Sequence, residues 1–549
     1  MRGVFSVQNR TRWLEEMQDS KLDVLVIGGG ITGAGVLLDA QKRGLSCGLV
    51  EMQDFAAGTS SRSTKLIHGG LRYLKQFEWK LVAEVGRERK IVYRNAPHVT
   101  QPIEMLLPII KGGTYGILMT NVGLMLYDFL AKVEKHERRT MLNKEETLKR
   151  VPMLKADGLK GSGRYIEYRT DDARLTMEVL KTAIRTGAYA VNYCRAENLL
   201  YDKGKVTGVQ VVDSLSGASY TIKADVVVNA TGPWVDDIRA LDRSKNDKHL
   251  HITKGVHLIV SNEKLSLHTA VYFDAPDGRM IFAIPRDGKV YIGTTDTFYE
   301  DDRVHPTITP KDRHYLLEAV NAMFPEADLS EKDIESSWSG LRPLIHEEGK
   351  DPSEISRKDE IFLSKSGLVT IAGGKLTGYR MMAKRTVDSI VKRMNRNDIE
   401  RSAKTGTTIL SGGEVGGPEQ FSAFVKRATE QGVQAGFEHD IAETLSKRYG
   451  SNVEKLYEIA RWHLGIQGED KLPIWLQATL IYSIEEEMTA TLTDFFIRRT
   501  SQLYFHIDEV EKWKEPVRSF IGDYLNWTVE EAEKNRLKLE NEIIRATGR

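Results

Sequence analysis

Three glycines and one acid near the start of the chain have the types and spacing that bind a dinucleotide. Gly28, Gly30 and Gly33 form a G-x-G-x-x-G turn, and Glu51 follows about 20 residues later. A missing Cβ atom lets the backbone approach a pyrophosphate, and an acid at this distance accepts hydrogen bonds from a ribose. The four residues therefore predict a dinucleotide-binding turn.

The residues around these glycines have the pattern of a β-α-β unit. The run from Asp23 to Ile27 is short, apolar and rich in β-branched residues, which is typical of a strand buried on both faces. The segment after Gly33 predicts a helix whose unpaired N–H groups and positive dipole end face the phosphates. A glycine turn alone is more often an ordinary turn, but its two flanking elements favour the nucleotide site.

A loop dense in small polar residues follows this unit. It runs from Gly58 to Tyr73 with the sequence GTSSRSTKLIHGGLRY. Its hydroxyl and N–H groups are suited to line a phosphate or flavin groove, and the alternative is an ordinary surface loop. The candidate cofactor-binding residues of the loop are Ser60, Ser61, Thr64 and His68.

Two distal segments favour FAD over a nicotinamide cofactor. The segment DVVVNATGPW predicts a strand that ends in a turn at Thr231 and Gly232. The segment GGKLT predicts a second helix start, where N–H groups stabilise the negative charge that reduced flavin carries. Its candidate cofactor-binding residues are Gly373, Gly374, Leu376 and Thr377. The sequence has no further β-α-β fingerprint for a nicotinamide cofactor.

Length and composition limit the classes of function. The 549 residues predict about three or four domain-sized units. The 78 basic and 77 acidic side chains nearly balance, so we expect no nucleic acid partner. The two cysteines, Cys47 and Cys194, indicate a reducing compartment instead of a disulfide framework. The first 20 residues mix charges and have no apolar run, so we expect neither a secretion signal nor a transit peptide.

The pattern of the whole chain predicts an α/β plus α+β fold. We expect a Rossmann-like FAD-binding domain, an antiparallel-sheet substrate domain and a C-terminal all-helical domain. Strand-like runs at 205–212, 219–230, 256–260, 280–284 and 290–293 support the antiparallel sheet. The first two domains interleave over 20–400. We assign 20–80, 165–235 and 340–400 to the nucleotide part, 81–164 and 236–339 to the substrate roof, 401–420 to a Gly-rich linker, and 421–549 to the helical domain.

One apolar stretch requires a choice between two environments. It lies between Lys111 and Asp128 and is shorter than the about 20 apolar residues that span a bilayer. As a helix it is apolar almost all round, with one stripe formed by Leu118, Val122, Met125 and Phe129. We favour a buried helix, and the alternative is a helix that dips into one membrane leaflet.

Several segments together resemble one family of flavoproteins. They are SSRSTKLIHGGLRYL, TDDARL, NATGPWV, IGTTD, SGLRPL, GGKLTGYR and DFFIRRT. The chain is similar to the FAD-dependent, quinone-linked glycerol-3-phosphate dehydrogenases, within the wider D-amino-acid-oxidase-like group. The match runs in order from about residue 20 to about residue 380 and resumes in the tail. The glycine fingerprint fits many flavoproteins, whereas KLIHGGLRYL, SGLRPL and GGKLT are specific to this family.

The resemblance implies a reaction and a set of substrate-binding residues. The family transfers a hydride from C2 of sn-glycerol 3-phosphate to flavin N5, which gives dihydroxyacetone phosphate. In the matching motifs, Arg72 and Arg342 are candidates to hold phosphate or substrate oxygens, and Lys375 to lie near the flavin and the reacting hydroxyl. Tyr73 is a further candidate for a hydrogen bond to substrate. Without the motifs, surface ion pairing is the commoner role of such cations.

The reaction also needs a group that accepts the hydroxyl proton. His257 is the candidate because an imidazole titrates near working pH and its segment lies on an expected roof strand. The alternative is a histidine satisfied in the core. His68 is the competing base, although its loop suits flavin contact better. We therefore assign catalysis to His257, Arg342 and Lys375, and we expect no metal ion.

Three alternatives describe where the electrons go. Relatives that use oxygen carry an extra insertion, and the absence of an obvious insertion favours membrane quinone as acceptor. Such an enzyme is expected in the cytoplasm at the inner face of the cell membrane, as a peripheral or monotopic protein. Residues 112–130 and basic surface patches are the candidate contacts. The second alternative is an oxygen-dependent oxidase that releases hydrogen peroxide, and the third is a non-catalytic flavin-binding protein. A homodimer is possible.

Overall fold

Two β-sheets form the framework of the molecule. The computed structural model describes residues 5–69, 78–113, 116–245, 247–347, 359–394, 396–463 and 472–549. The strands in these ranges are β1 (Leu22–Ile27), β2 (Cys47–Val50), β3 (Leu66–Ile67), β4 (Thr100–Ile110), β5 (Thr140–Asn143), β6 (Leu159–Thr170), β7 (Tyr189–Val191), β8 (Cys194–Asp202), β9 (Lys205–Asp213), β10 (Ser219–Asn229), β11 (Lys248–Ser261), β12 (Ala270–Asp274), β13 (Met280–Arg286), β14 (Lys289–Gly293), β15 (Thr297–Phe298), β16 (Ile334–Glu347), β17 (Glu360–Leu363) and β18 (Val369–Ala372).

Helices connect and cover these strands. They are α1 (Arg10–Asp19), α2 (Ile31–Lys42), α3 (Trp79–Asn95), α4 (Ile117–Leu130), α5 (Lys144–Arg150), α6 (Asp172–Arg185), α7 (Val235–Leu241), α8 (Pro310–Met323), α9 (Tyr379–Met394), α10 (Phe421–Gln434), α11 (His439–Tyr449), α12 (Val453–His463), α13 (Ile474–Glu486), α14 (Gln502–Phe505), α15 (Ile507–Leu525) and α16 (Val529–Thr547). A π-helical segment, Asp494–Arg499, precedes α14. Among the helices described here, none has both the length and the apolar character that crossing a membrane requires.

The first sheet has the parallel centre that the β-α-β pattern predicts. Its strands lie in the order β17-β18-β10-β1-β2-β7, and β8 and β9 extend it through antiparallel pairs. β1 runs parallel to β2 on one side and to β10 on the other. Val24, Leu25 and Val26 are fully buried, which explains the lack of polar alternation in β1. Ligands of open α/β sheets bind where the strand order reverses, here at the carboxyl end of β1.

The second sheet is mostly antiparallel. Its strands lie in the order β15-β11-β14-β13-β12-β4-β6-β3, with β16 paired to β11 and β5 to β6. β4 and β12 run parallel, whereas β11, β13 and β14 pair antiparallel, as do β4 and β6. The strands predicted at 256–260, 280–284 and 290–293 lie within β11, β13 and β14. The predicted fold class, including the antiparallel sheet and the helical C-terminal part, is confirmed.

The two sheets meet where β16 passes the loop that follows β2. Thr59 Oγ1 donates a hydrogen bond to the Leu341 carbonyl at 2.7 Å. Trp338 Nε1 donates to the Ser63 carbonyl at 3.2 Å. At Gly340, a Cβ atom would lie 2.1 Å from the Arg62 carbonyl oxygen, so only glycine allows this approach. The loop is thereby held between the sheets, where the site described below is found.

The C-terminal helices are attached to the first sheet through buried ion pairs. Arg499 donates to both carboxylate oxygens of Asp54, at 2.7 and 2.9 Å. Arg498 Nε lies 2.5 Å from Asp54 Oδ2. Both arginines belong to the π-helical segment, Asp54 lies in the loop after β2, and all three side chains are buried. The C-terminal part therefore contacts the loop that carries Glu51.

The segment predicted as a Gly-rich linker, 401–420, is packed against the helices beside it. The Leu410 N–H donates to the Asn95 carbonyl at 2.9 Å, and the Ser411 N–H donates to Thr182 Oγ1 at 2.9 Å. The domain boundaries stay predictions. β3 and parts of β6 and β16 fall in ranges assigned to the nucleotide part, although they pair in the second sheet.

The apolar stretch forms α4, and the prediction that this helix is buried is wrong. On one side, Leu124 and Tyr127 are buried, and Leu124 packs on Gly163 of β6. The side chains of the other stripe are 44–78 % exposed: Val122, Met125, Leu118 and Phe129. The helix is apolar on both sides, but the described residues cover only one of them.

Candidate active site

The glycine turn has a backbone geometry that excludes side chains. Gly28 has φ +112°, and a Cβ atom there would lie 2.5 Å from the Ala230 carbonyl oxygen. A Cβ atom at Gly33 would lie 1.9 Å from the Gly28 carbonyl oxygen. The turn thus joins β1 to α2 and lies directly against the end of β10. Thr231 and Gly232, the predicted second turn, follow Ala230 at this place.

Glu51 lies beside the same turn. Its carboxylate accepts hydrogen bonds from the Gly29 N–H at 2.6 Å and from the Gln53 N–H at 2.9 Å. Burial raises the pKa of Glu51, and the two backbone hydrogen bonds oppose this shift. Its position at the end of β2 suits the predicted contact with a ribose, which stays a prediction.

The polar loop after β2 contacts the glycine turn at one end. Ser60 Oγ accepts a hydrogen bond from the Ile31 N–H at 2.9 Å, at the start of α2. Ser61 Oγ is buried and has no hydrogen-bond partner among the described residues. At the other end, Thr377 Oγ1 accepts from the His68 N–H and donates to the His68 carbonyl, both at 3.1 Å. The loop therefore links the two predicted helix starts.

A cavity of about 300 Å³ lies between the loop, the second sheet and the start of α9. The loop after β2 supplies Thr64 and His68 to one side of it, and the turn before α9 supplies Thr377. The roof side includes His257, Arg342 and the aromatic residues of β6, β12 and β13. The aromatic roof residues are Tyr165, Tyr272 and Phe282. A small concave site with a few convergent polar groups is the usual form of an active site.

His257 lies on β11 and is buried at the inner end of this cavity. Its Nε2 is 3.1 Å from Thr64 Oγ1, and its ring stacks on Trp338 with centroids 4.7 Å apart. Burial lowers the pKa of His257 well below 6.5, and the charges of Arg342 and Lys65 lower the pKa further. The imidazole is therefore neutral at neutral pH.

Arg342 reaches the cavity from β16. Its guanidinium donates to Thr294 Oγ1 at 2.9 Å and to the Thr295 carbonyl at 3.2 Å, and it lies 3.2 Å from Asp296 Oδ1. A Cβ atom at Gly255 would lie 2.4 Å from Arg342 Nη2, so glycine on β11 makes room for the guanidinium. Arg342 is therefore held in place while it lines the cavity.

Lys375 stands at the second glycine turn. Gly373 and Gly374 have φ +75° and +85°, and a Cβ atom at Gly374 would meet Met382 Sδ at 2.3 Å. The turn leads through residues 376–378 into α9, and Lys375 and Leu376 line the cavity. Burial and the charge of Lys375 lower the pKa of His68 to about 3. His68 is thus neutral at neutral pH.

The structure brings most of the predicted residues together in two places. The glycine turn with Glu51, Ser60, Thr231 and Gly232 forms one of them. The cavity forms the other, and its predicted members are Thr64, His68, His257, Arg342, Gly374, Lys375, Leu376 and Thr377. Ser61 lies in the loop between the two places. Arg72 and Tyr73 lie outside the described residues, so their predicted roles stay predictions.

The sequence analysis did not predict a buried ionic network next to the cavity. Glu167 on β6 lines the cavity and accepts from the Tyr127 hydroxyl at 2.9 Å and from Arg89 Nη1 at 3.1 Å. The Gly69 N–H lies 3.3 Å from its Oε2. Burial raises the pKa of Glu167, and the Arg89 charge opposes this. Its only sequence signal is its spacing of two residues from Tyr165, which puts both on one face of β6.

The site fits a flavin dinucleotide. The first glycine turn offers backbone with no room for Cβ atoms and leads into the N-terminus of α2, which suits a pyrophosphate. The Ser61 hydroxyl, in the loop between this turn and the cavity, is buried without a partner among the described residues. The cavity at the far end opens at the second helix start, next to Lys375. These features are those that a flavin and its phosphates require.

Two family models match the chain. Residues 23–380 match the model of the FAD dependent oxidoreductases. Residues 403–532 match the model of the C-terminal domain of alpha-glycerophosphate oxidase. The chain is also 54 % identical over 539 residues to the aerobic glycerol-3-phosphate dehydrogenase of Bacillus subtilis, covering 98 % of this chain and 97 % of the relative. The enzyme of that name from Staphylococcus aureus strain USA300 is 51 % identical over 539 residues, which cover 97 % and 96 % of the two chains.

A solved structure is similar over the same length. The glycerol-3-phosphate dehydrogenase from Bacillus halodurans, complexed with FAD, superimposes with a TM-score of 0.87 at 47 % identity. The match covers 99 % of this chain and 98 % of that chain. The similarity therefore includes both sheets and the C-terminal helices.

Proposed function

The chain belongs to the FAD-dependent oxidoreductases and, over nearly its whole length, to the aerobic glycerol-3-phosphate dehydrogenases, and on this premise we propose that it transfers electrons from sn-glycerol 3-phosphate to membrane quinone. FAD is its cofactor. The observation that carries the proposal is the convergence of His257, Arg342 and Lys375 in one cavity between the two sheets. Dihydroxyacetone phosphate is the product.

The cations of the cavity are suited to hold the substrate. Arg342 presents a planar fork of donors, which suits a phosphate or a pair of substrate oxygens. Its bonds to Thr294 and Thr295 fix the direction of the fork. Arg72 and Tyr73 are the further proposed substrate contacts, on the resemblance of their motif.

His257 is the proposed proton acceptor. Its neutral ring lies in the cavity, and its contacts with Thr64 and Trp338 fix the plane of the imidazole. When bound, FAD accepts the hydride of the substrate at N5. His257 takes the hydroxyl proton as the C2 carbonyl forms. Lys375 and the N–H groups before α9 place positive charge near the cofactor and the reacting oxygen.

The exposed stripe of α4 supports a membrane quinone as acceptor. Leu118, Val122, Met125 and Phe129 form an apolar face that suits the interfacial region of a bilayer. On the buried side of α4, the Tyr127 hydroxyl donates a hydrogen bond to Glu167, and Glu167 lines the cavity. A quinone dissolved in the membrane would thus approach the flavin along this helix. We place the enzyme at the inner face of the cell membrane, as a peripheral or monotopic protein.

One finding favours a second candidate function. The model that matches residues 403–532 is named after an oxidase, alpha-glycerophosphate oxidase. Possession of this domain therefore does not distinguish quinone from oxygen as the acceptor. The second candidate is an oxygen-dependent glycerol-3-phosphate oxidase that releases hydrogen peroxide.

The test is an anaerobic titration of the FAD-loaded protein with glycerol 3-phosphate, followed by one acceptor at a time. We expect the substrate to bleach the flavin, and a ubiquinone or menaquinone analogue to restore the absorbance rapidly. Air should restore it slowly, with little hydrogen peroxide. Rapid reoxidation by air with one peroxide per substrate would establish the oxidase instead. Bleaching by a D-amino acid or sarcosine, but not by glycerol 3-phosphate, would overturn the substrate assignment.

A further inference from the structure

A second cavity lies where the C-terminal helix α11 meets the ends of β4, β6 and β13. It has a volume of about 210 Å³, which equals about seven water molecules at liquid density. Its lining residues are His98, Val99, Gln101, Arg169, Thr170, Asp171, Arg174, Arg286, Asp287, Thr444, Lys447 and Arg448. It shares no lining residue with the catalytic cavity. The proposed reaction therefore gives it no role.

The lining of this cavity carries more positive than negative charge. Five of the lining side chains are cations, and two are carboxylates, Asp171 and Asp287. Both carboxylates pair with Arg286, at 3.1 and 3.2 Å. The charge of Arg174 is balanced by Glu178 and Glu487, which do not line the cavity. Of the remaining cations, Lys447 pairs with Glu443 outside the lining. Arg169 and Arg448 form no ion pair within the described residues, although the charges of both lower the pKa of Asp287.

Three guanidinium groups at this wall keep unused donors. Arg448 makes neither a hydrogen bond nor an ion pair with any residue in the described ranges. Arg169 donates to the Pro285 carbonyl at 3.1 Å and, within the described part of the chain, pairs with no carboxylate. Arg286 is buried, yet its Nη1 has no hydrogen-bond partner among the described residues. Arg169 and Arg448 are partly exposed, whereas Arg286 is buried. A buried cationic donor without an acceptor is costly, which favours a ligand that supplies an acceptor to Arg286.

His98 adds an independent observation. The side chain is 4 % exposed, and neither ring nitrogen has a hydrogen-bond partner among the described residues. Burial lowers its pKa to about 4, so the ring is neutral and offers one N–H donor. Burial and the charge of Arg286 also lower the pKa of Arg169, and the charges of Asp287 and Asp171 oppose this shift only in part. An anion between Arg169 and Arg286 would oppose it further.

We propose that this cavity binds a small phosphate-class oxyanion, either inorganic phosphate or a phosphate monoester. Planar guanidinium groups donate in pairs to phosphate oxygens, and Arg169, Arg286 and Arg448 converge on one space of suitable size. Arg448 belongs to α11, whereas Arg169 and Arg286 belong to the second sheet. The bound oxyanion bridges the C-terminal helices to the roof of the catalytic cavity.

Hydrogen bonds and an ion pair connect the proposed oxyanion site to the catalytic cavity. Asp171, which pairs with Arg286, caps α6 by accepting from the Arg174 N–H at 3.0 Å. The next residue, Asp172, accepts from the Ser63 hydroxyl at 2.7 Å, and Ser63 lines the catalytic cavity. Occupancy of the oxyanion site therefore stabilises the position of α6 and of the loop that carries Ser63.

Hydrogen exchange on the FAD-loaded full chain tests the proposal, with sodium phosphate compared against sodium chloride at equal ionic strength. We expect phosphate to slow exchange in 98–101, 169–174, 285–289 and 444–448, with half the effect reached at about 1 mM or below. A parallel series with glycerol 2-phosphate, which has no oxidisable C2 hydroxyl, distinguishes the sources. Protection by both ligands indicates that free phosphate suffices, and protection by the ester alone indicates a monoester site. Protection by neither ligand in these segments overturns the proposal.

Matched variants assign the effect to the cavity. Arg448→Gln removes a guanidinium that has no partner among the described residues, and it should weaken phosphate binding by about tenfold. Arg169→Gln, on a different element, should act in the same direction. Arg427→Gln changes the same charge on the exposed surface of α10 and should bind phosphate like the unchanged protein. Equal protection in Arg448→Gln, Arg169→Gln and the control would contradict the proposal, and circular dichroism with flavin absorbance verifies that each variant is folded.

Discussion

At the scale of single residues, the environment of His257 determines its protonation and its orientation. The stack on Trp338 and the contact with Thr64 hold the ring, and burial keeps it neutral. A positioned base contributes about 10²–10⁴-fold to the rate of a reaction that needs proton transfer. We expect the rate to fall by this factor when the His257 side chain is replaced.

We therefore predict that His257→Asn keeps its FAD but slows anaerobic flavin reduction by about 10²–10⁴-fold. The substitution removes the proposed proton acceptor, whereas the glycine turns proposed to hold the cofactor are unchanged. The measurement is the loss of flavin absorbance after rapid mixing with glycerol 3-phosphate. His314→Asn, on the exposed surface of α8, is the control and should reduce at the normal rate. An unaltered rate in His257→Asn would remove this residue from the mechanism.

His98 makes a prediction about acid stability. Its folded pKa of about 4 lies below the unfolded value near 6.5, because burial outweighs the attraction of Glu178. The folded state then binds fewer protons than the unfolded state, so stability is present above pH 6.5 and is lost as the pH falls towards 4. The free energy of unfolding should fall by about 2 kcal/mol from this residue between pH 7 and pH 5.

The measurement is urea unfolding at a series of pH values in phosphate-free buffer. His98→Gln should lose less stability over this range than the unchanged protein, whatever its stability at pH 7. His68 and His257 also have lowered pKa values and act in the same direction, so some acid sensitivity remains. An identical pH slope with and without His98 would show that its folded pKa is not lowered.

At the scale of elements, the π-helical segment holds the loop that carries Glu51. Arg499 and Arg498 both reach Asp54, which lies three positions after Glu51 in the same loop. The two arginines hold the pKa of Asp54 far below its usual value, so this carboxylate is charged although it is buried. The C-terminal helices thereby fix one wall of the proposed ribose site.

We predict that Arg499→Ala destabilises the protein by about 3–5 kcal/mol and weakens FAD binding. The change leaves the buried Asp54 carboxylate with one guanidinium and loosens the loop of Glu51. Urea unfolding and the fluorescence of released FAD measure the two effects. Arg536→Ala, which breaks an exposed pair with Glu533 on α16, should change neither. If Arg499→Ala is destabilised but binds FAD with unchanged affinity, the ion pair does not support the cofactor site.

The exposed stripe of α4 predicts membrane attachment. Burying Leu118 and Phe129 in lipid is worth about 1.5–3 kcal/mol for each side chain, so Leu118→Ser/Phe129→Ser should weaken vesicle binding at least about 100-fold. Co-sedimentation with phospholipid vesicles measures binding. The double variant should also lose reduction of membrane quinone while it keeps reduction of a soluble dye. Leu241→Ser/Leu537→Ser replaces two exposed leucines elsewhere and should bind vesicles normally. Normal binding by the α4 variant would place the membrane contact elsewhere.

The sequence predicts elements better than it predicts their surroundings. Gly28, Gly33 and Gly374 are recognisable because a Cβ atom at each would collide with its neighbours, and the second of the two turns lines the cavity. The exposure of α4 is not recognisable, since both of its faces are apolar and only the fold decides which one is covered. Glu167 was missed because an acid within a strand normally indicates a solvent-exposed position, whereas Arg89 and Tyr127 neutralise this one inside the protein.

At the scale of the whole molecule, three parts of the chain meet at the catalytic cavity. The first sheet supplies the glycine turns, the second sheet supplies His257 and Arg342, and the C-terminal helices brace the loop between them. The proposed oxyanion site lies at the contact between the second sheet and α11. We expect this arrangement to hold the cations of the cavity, Arg342 and Lys375, close to the cofactor.

The central claim is that this space transfers the C2 hydride of glycerol 3-phosphate to FAD. The most direct test is anaerobic rapid mixing of the FAD-loaded protein with saturating glycerol 3-phosphate that carries either hydrogen or deuterium at C2. The account predicts complete bleaching of the flavin with both substrates, several-fold slower with deuterium, because the observed step breaks the C2–H bond. No bleaching, or bleaching at the same rate with both isotopes, would contradict hydride transfer at this site.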